Sequence, residues 1–218
     1  MHKNNAEYFN TWAKAYNQSI KTSEQDNSYP FSGYSLIKAW IIATLQDDTI
    51  TSICDMGIGT GQISSPLYDK NKSITGIDFS KEMLKKSRDL MPKATLVHSD
   101  FQSFISQLKT ESFDAIIFNY SIHHMPLQKQ VELLLKLSNH LNDGGMILVG
   151  DVMTSTDKAM RKLKIQYQKI WDDAEYYPVV DYYKDYLKDA YQVIFYQVSH
   201  CSGMMQIKKK YILVDVFS

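Results

Sequence analysis

From Ala6 to Tyr16 the apolar residues Tyr8, Phe9, Trp12, Ala13 and Tyr16 recur at helical spacing, which predicts a helix. The polar stretch KTSEQDNSYP, Lys21 to Pro30, has no such period and predicts a loop. GYSLIKAWIIATL then places Ile37, Trp40, Ile41 and Leu45 on one face of a second helix, and Asp47 and Asp48 close this section.

Beyond that point short apolar runs alternate with amphipathic ones. SICDM, SITGIDF, ATLVHSD, FDAIIFNYS and GGMILVGDV predict five strands, and the unbroken run AIIF suits a strand covered on both faces. GTGQISSPLYD leads from loop to helix. Ser80 is placed to cap KEMLKKSRDLM, with Met83, Leu84 and Leu90 on one side. LQKQVELLLKLSNHL is a further helix. DKAMRKLKIQYQKIW has Met160, Leu163, Tyr167, Ile170 and Trp171 at helical spacing, and VVDYYKDYLKDA follows Pro178 as another helix. The chain ends in two alternating runs, YQVIFYQVSH and QIKKKYILVDVF. Cys201, Ser202 and Gly203 separate them, as in a hairpin. Strands alternating with helices predict an α/β fold with a parallel, doubly covered sheet and right-handed crossovers; the terminal pair is an antiparallel addition.

Composition narrows the class. A chain of 218 residues with 44% hydrophobic and 22% charged residues is long enough for one domain with a sizeable core. Lysine plus arginine, 24, balances aspartate plus glutamate, 24, which argues against a dedicated nucleic-acid binder. Two cysteines are too few for a disulfide framework, and the N-terminus carries no secretory or transit pattern, so a cytoplasmic protein without a membrane segment is expected.

The candidate chemistry starts at ICDMGIGTGQIS. Gly57, Gly59 and Gly61 alternate two residues behind Asp55, at the end of the first parallel strand. In an open α/β sheet ligands bind there, against free N–H groups at the start of the next helix. A dinucleotide fingerprint would need a glycine where Gln62 stands. The spacing D-x-G-x-G-x-G instead resembles motif I of the class I S-adenosylmethionine-dependent methyltransferases. Further positions follow the family's order: Asp78-Phe79 after the second strand, Asp100-Phe101 after the third, Asn119 after the fourth. YFNTWAKAYNQSI resembles the W-A-x-x-Y-D helix of small bacterial members, with Asn17 in place of Asp. NYSIHHM resembles their fourth-strand segment, with Met125 in place of Leu.

The resemblance implies a doubly wound, mostly parallel seven-stranded sheet. Residues 1–48 would form a helical cap or lid, 49–151 the cofactor-binding core, and 152–218 the C-terminal helices and antiparallel strands. It implies S-adenosyl-L-methionine as cofactor, with S-adenosyl-L-homocysteine as product. Asp78 would take the ribose hydroxyls and Asp100, beside Phe101, the adenine amino group. Asn119 would lie under the methionine part. Trp12 belongs to core packing, whereas the phenols of Tyr16 and Tyr34 are placed to reach the cofactor carboxylate. His123 and His124, on the rim after the fourth strand, are the candidate bases, and Asp151 is a weaker one. No cysteine–histidine cluster has zinc spacing, so no metal is expected.

The expected reaction is methyl transfer to a small-molecule acceptor by in-line displacement. Asn119 is followed by Tyr120-Ser121-Ile122 and not by P-P-aromatic, which argues against DNA amines as acceptors. Lys208 to Lys210 read as part of an edge strand rather than an RNA patch. The alternatives are an RNA-directed methyltransferase, an NAD-dependent oxidoreductase and a non-catalytic cofactor-binding protein. The tyrosine-rich segment Trp171 to Tyr183 is read first as helix packing, with an aromatic substrate wall or a homodimer surface as its alternatives.

Overall fold

A computed structural model describes residues 15–210. The Trp12 expectation, most of the first helix and the last part of the final strand run lie outside them. The elements in chain order are α1 (Tyr16–Gln25), α2 (Tyr34–Leu45), β1 (Ser52–Met56), α3 (Ser65–Tyr68), β2 (Ser73–Asp78), α4 (Lys81–Leu90), β3 (Thr95–His98), α5 (Phe101–Gln107), β4 (Phe113–Asn119), α6 (Leu127–Leu137), β5 (Leu141–Val152), α7 (Asp157–Gln166), α8 (Val180–Leu187), β6 (Tyr191–Gln197) and β7 (Ser202–Lys209). A short 3-10 turn, Ile122–His124, follows β4.

The seven strands form one sheet in the order β3-β2-β1-β4-β5-β7-β6. β1 to β5 are parallel, and β7 pairs antiparallel with both β5 and β6. Alternation along the central strands divides the core in two. Ile53, Ala115, Ile117 and Leu148 face a cluster with Ile37 and Ile41 of α2, Leu84 of α4 and Leu163 of α7. Cys54, Met56, Ile116 and Phe118 face the other side, against Phe104 of α5, Leu134 of α6 and Tyr183 of α8. The run AIIF is fully buried because each neighbour of β4 is itself a strand and both faces are covered.

Four local expectations are corrected. The stretch from Lys21 is not loop throughout: α1 continues to Gln25, and Asn27 then takes a positive φ of 46°. What holds this turn is tertiary. Glu24 accepts hydrogen bonds from the Ser35 N–H and hydroxyl, each at 2.6 Å, and Ser23 Oγ accepts from the Phe31 N–H at 3.0 Å. Leu90 is 46% exposed; Met83, Leu84 and Ser87 form the inner face of α4, and Met91 is buried just past its end. α7 stops at Gln166, and the chain from Tyr167 to Val179 runs as turns and extended backbone. Finally, β7 is internal; β6 is the edge strand, so the lysines at Lys208 and Lys209 end a strand with partners on both sides.

Strand order reverses between β1 and β4, and the carboxyl ends of β1, β2 and β4 open there into a common crevice. α1 and the 167–179 segment border it from the other side.

Candidate functional site

The crevice is a cavity of about 580 Å³, within the usual range for small-molecule sites. One end is built by the glycine loop and the ends of β2 and β4. Gly59 has φ +56°, a left-handed backbone that disfavours side chains, and a Cβ added there would find no atom nearer than the Gly57 carbonyl at 4.0 Å. The space in front of Gly59 is therefore open. Gly57 and Gly61 do different work. A Cβ on Gly57 would lie 2.5 Å from Ser121 Cβ, and one on Gly61 would lie 2.9 Å from Met91 Cε, so both allow close packing of the loop. Gly57 borders the cavity and Gly61 does not.

Asp78 ends β2 with its carboxylate at the cavity. It accepts from the Gly59 N–H at 2.9 Å and the Ser80 N–H at 2.8 Å, which pins the loop to the strand end. A carboxylate has about four lone-pair sites, so capacity remains for a ligand. Burial pushes its pKa up to about 6, and the backbone hydrogen bonds only partly oppose that. Phe79, Met83 and Phe101 add apolar wall. Asn119 ends β4 with its Oδ1 buried and without a hydrogen-bond partner among the described residues. The next residue, Tyr120, holds an uncommon φ of +51°. Ser121 then donates to the Met56 carbonyl at 2.7 Å and ties the β4 turn to β1.

Asp55 stands behind the loop. It borders a second, narrow cleft with Tyr16, Tyr34 and Asn119, accepts from the Ser64 hydroxyl at 2.6 Å, and burial pushes it up to about 7. Tyr34 faces this cleft alone, while Tyr16 borders both spaces. Asp100 is not brought to the cavity. It caps α5, accepting from the Ser103 N–H at 2.9 Å and the Ser103 hydroxyl at 2.7 Å, and these bonds hold its carboxyl below the usual range. Asn17 has a place that its sequence context did not suggest: it accepts from the Thr60 hydroxyl at 3.1 Å and fastens α1 to the glycine loop.

The other end of the cavity gathers His123, His124, Asp172, Glu175, Tyr29 and Tyr177. His123 Nδ1 faces both oxygens of fully buried Asp151, at 2.8 and 2.9 Å. This fixes the ring and leaves Nε2 toward Glu175 Oε1 at 3.8 Å. Burial pulls the His123 imidazole down, but the charge and hydrogen bond of Asp151, with the charges of Glu175 and Asp172, outweigh it, so the ring titrates above its ordinary value. Burial and the neighbouring His123 hold His124 well below its own. Tyr177 donates to Glu175 Oε2 and shares a hydrogen bond with Tyr29, which stacks on Tyr167 and Trp171 at 5.1 and 5.5 Å. His123, His124 and Glu175 also bring three metal-ligating atoms within 4.8 Å of one another, a grouping made across the fold and not by sequence spacing.

Sequence reading singled out the Lys21–Tyr34 lid and the Trp171–Tyr183 segment but not Tyr29, Asp172, Glu175 and Tyr177 within them, and it read the second segment first as helix packing. The helical period runs through Trp171 and hides the break. Pro178 is the available signal, since the residue before a proline avoids the helical region.

An open backbone at Gly59, an acid at the end of β2 and an orphaned amide oxygen on Asn119 fit a ligand bearing hydroxyls and a charged polar end. Comparison with known proteins agrees. A family profile described as a methyltransferase domain matches residues 53–145. An uncharacterized methyltransferase of Geobacillus thermodenitrificans (strain NG80-2) is 30% identical over 155 residues, covering 71% of this chain and 69% of that protein. One from Alkaliphilus oremlandii (strain OhILAs) is 27% identical over 180 residues, 79% and 82% of the two chains. Magnesium protoporphyrin IX methyltransferase from Synechocystis PCC 6803, solved with bound S-adenosylhomocysteine, superposes with a TM-score of 0.69 at 17% identity, over 94% of this chain and 97% of that one. The chain belongs to the class I S-adenosylmethionine-dependent methyltransferases.

Proposed function

We propose that this enzyme methylates a small-molecule acceptor and that the acceptor occupies the His123 end of the cavity. The observation that supports this reading is the continuity of the cavity. One space joins the Gly59–Asp78–Asn119 end to a histidine held by a buried acid. When bound, S-adenosylmethionine supplies a methyl group activated on a sulfonium.

The residues divide the remaining work. Gly59 leaves room for close approach to the backbone, and the spare lone pairs of Asp78 accept from ribose hydroxyls. Asn119 Oδ1 accepts from the cofactor's polar end, and Phe79 and Phe101 provide apolar surface. Tyr16 and Tyr34 complete the wall on the α1–α2 side. Asp151 holds His123 in the tautomer with the proton on Nδ1, so Nε2 takes the proton of an oxygen or nitrogen acceptor. A thiol acceptor depends less on this step, because its thiolate is already partly populated. α1 and the 167–179 segment exclude water and hold the acceptor against the transferred methyl.

The test uses purified enzyme and methyl-labelled cofactor, with acceptors supplied as a size-fractionated metabolite extract, total RNA and protein. Label in the small-molecule fraction is the expected result. Label only in RNA or protein would overturn the acceptor assignment.

A further inference from the structure

We propose that His123 Nε2, a ring nitrogen of His124 and Glu175 Oε1 form a site for a borderline divalent cation such as Zn2+ or Ni2+, and that metal and methyl acceptor exclude one another there. The exclusion rests on the acceptor assignment above; the metal site itself does not.

The geometry carries the site. The three ligand atoms come from the turn after β4 and from the 167–179 segment, lie mutually within 4.8 Å and border one cavity. His123 Nε2 and Glu175 Oε1 are 3.8 Å apart, too far for a direct hydrogen bond. Two ligands about 2.1 Å from a tetrahedral ion stand about 3.4 Å apart, so seating the metal needs the His123–Glu175 pair to close by about 0.4 Å and no ligand pair by more than about 1.4 Å.

The second shell is already built. Ligating histidines characteristically donate their other N–H to a carboxylate, and ligating carboxylates are themselves hydrogen-bonded. Here Asp151 accepts from His123 Nδ1 at 2.8 Å, and the second oxygen of Glu175 accepts from Tyr177. The outer atoms of His123 and Glu175 are thus satisfied, and all three ligands border the cavity.

The donor set selects the ion. Two imidazoles and one carboxylate suit zinc, nickel, cobalt or copper, whereas magnesium and calcium require oxygen ligands. Three protein ligands beside an open cavity leave a coordination position free. Exclusion follows from electron count: Nε2 has one lone pair, which is given to the metal or to the acceptor's proton. A chelating small molecule that enters the cavity would compete for the same ion.

The test is calorimetric titration of tag-free, chelator-stripped enzyme with Zn2+, Ni2+ and Mg2+. One Zn2+ or Ni2+ per chain is expected, with no binding of Mg2+. His124→Ala and Glu175→Gln should each weaken that site at least tenfold, and Asp151→Asn by about 10–100-fold. Circular dichroism checks that each variant is folded. S-adenosylhomocysteine affinity should be the same with and without metal, and bound metal should lower methyl transfer, restored by chelator. Equal metal binding by the wild type and the His124→Ala/Glu175→Gln double variant would overturn the site. Metal-stimulated transfer would overturn the exclusion while leaving the site. Failure of S-adenosylhomocysteine to bind at all, with metal bound as expected, would instead count against the cofactor residues assigned above.

Discussion

At the scale of single residues, the glycine loop and its acid separate into distinct roles. Asp78 is held up to about 6 by burial, so it gains its charge within the working range of many assays. Charge-assisted bonds to ribose need the ionised form. Affinity for S-adenosylhomocysteine should therefore fall as pH is lowered through about 6. Asp78→Asn should flatten that profile and weaken binding above it by about 1.5–3 kcal/mol. Titration calorimetry across pH reads both; an unchanged profile in the variant would remove Asp78 from the site. Gly59→Val should lose binding because the side chain enters the open space, with a stability loss of about 1–2 kcal/mol from backbone strain at φ +56°. Gly57→Ala should instead destabilise the fold by about 2–4 kcal/mol, from backbone strain and overlap with Ser121. Chemical denaturation separates the two. His123→Gln should lower kcat by about 10²–10⁴ with cofactor affinity retained, the loss expected of a missing base. Steady-state kinetics with an oxygen or nitrogen acceptor checks it.

At the scale of elements, the His123 end of the cavity depends on two segments whose conformations come from contacts distant in sequence. α1 stays helical to Gln25 and then turns because Ser23 bonds both strands of that turn. Its hydroxyl donates to the Ser28 carbonyl at 2.6 Å and accepts from the Phe31 N–H. Ser23→Ala should cost about 1–3 kcal/mol by leaving a buried N–H without its partner. It should also weaken acceptor binding more than cofactor binding, since Tyr29 and Phe31 line the cavity. Urea unfolding and KM values for the two substrates test this. The 167–179 segment is held by Gln130, which donates to the Tyr176 carbonyl at 2.6 Å, and by the Tyr176 N–H, which donates to the His123 carbonyl at 2.8 Å. These bonds hold Glu175 opposite His123.

Across the whole molecule, the buried acids make stability depend on pH in opposite senses. Asp55 and Asp78 have folded pKa values raised to about 7 and about 6, above their unfolded values. The stability they contribute is present at acid pH, falls as pH rises above the ordinary carboxylate value of 3.8, and is gone once the folded values are passed. Asp114 behaves in reverse. It gathers the Thr51 and Ser52 N–H groups at 2.8 and 2.9 Å, and its hydrogen bonds hold it well below the usual range. Its contribution is lost as pH falls through the acid range. Stability should therefore peak on the acid side of neutrality. Asp55→Asn should remove the decline that runs from the ordinary carboxylate value of 3.8 up to about pH 7, because it deletes the cost of a buried charge. Melting temperatures of wild type and variant across pH measure this, and parallel curves would sink the assignment. Among the described residues, no helix is long and apolar enough to cross a membrane.

The sequence by itself determined the sheet and which residues would stand at one end of the cavity. The strands and the α/β plan follow from local patterns: a period of two or a continuous apolar run, with helical spacing between. Asp55, the glycines, Asp78 and Asn119 sit where strands end, and a strand end is readable from its own residues. Tertiary structure decided the rest. Asp100 and Asp78 look alike in sequence, yet Asp100 caps a helix, accepting from the Ser103 N–H, while Asp78 accepts from the Gly59 N–H across the fold and faces the cavity. Glu175 and Tyr177 reach His123 from about 50 residues away, across a break in a pattern that otherwise reads as helix. Periodicity records which face of an element is apolar. It does not record which elements meet, and the His123 end of the cavity is made where the turn after β4 meets a segment whose apparent helical period is broken in the fold.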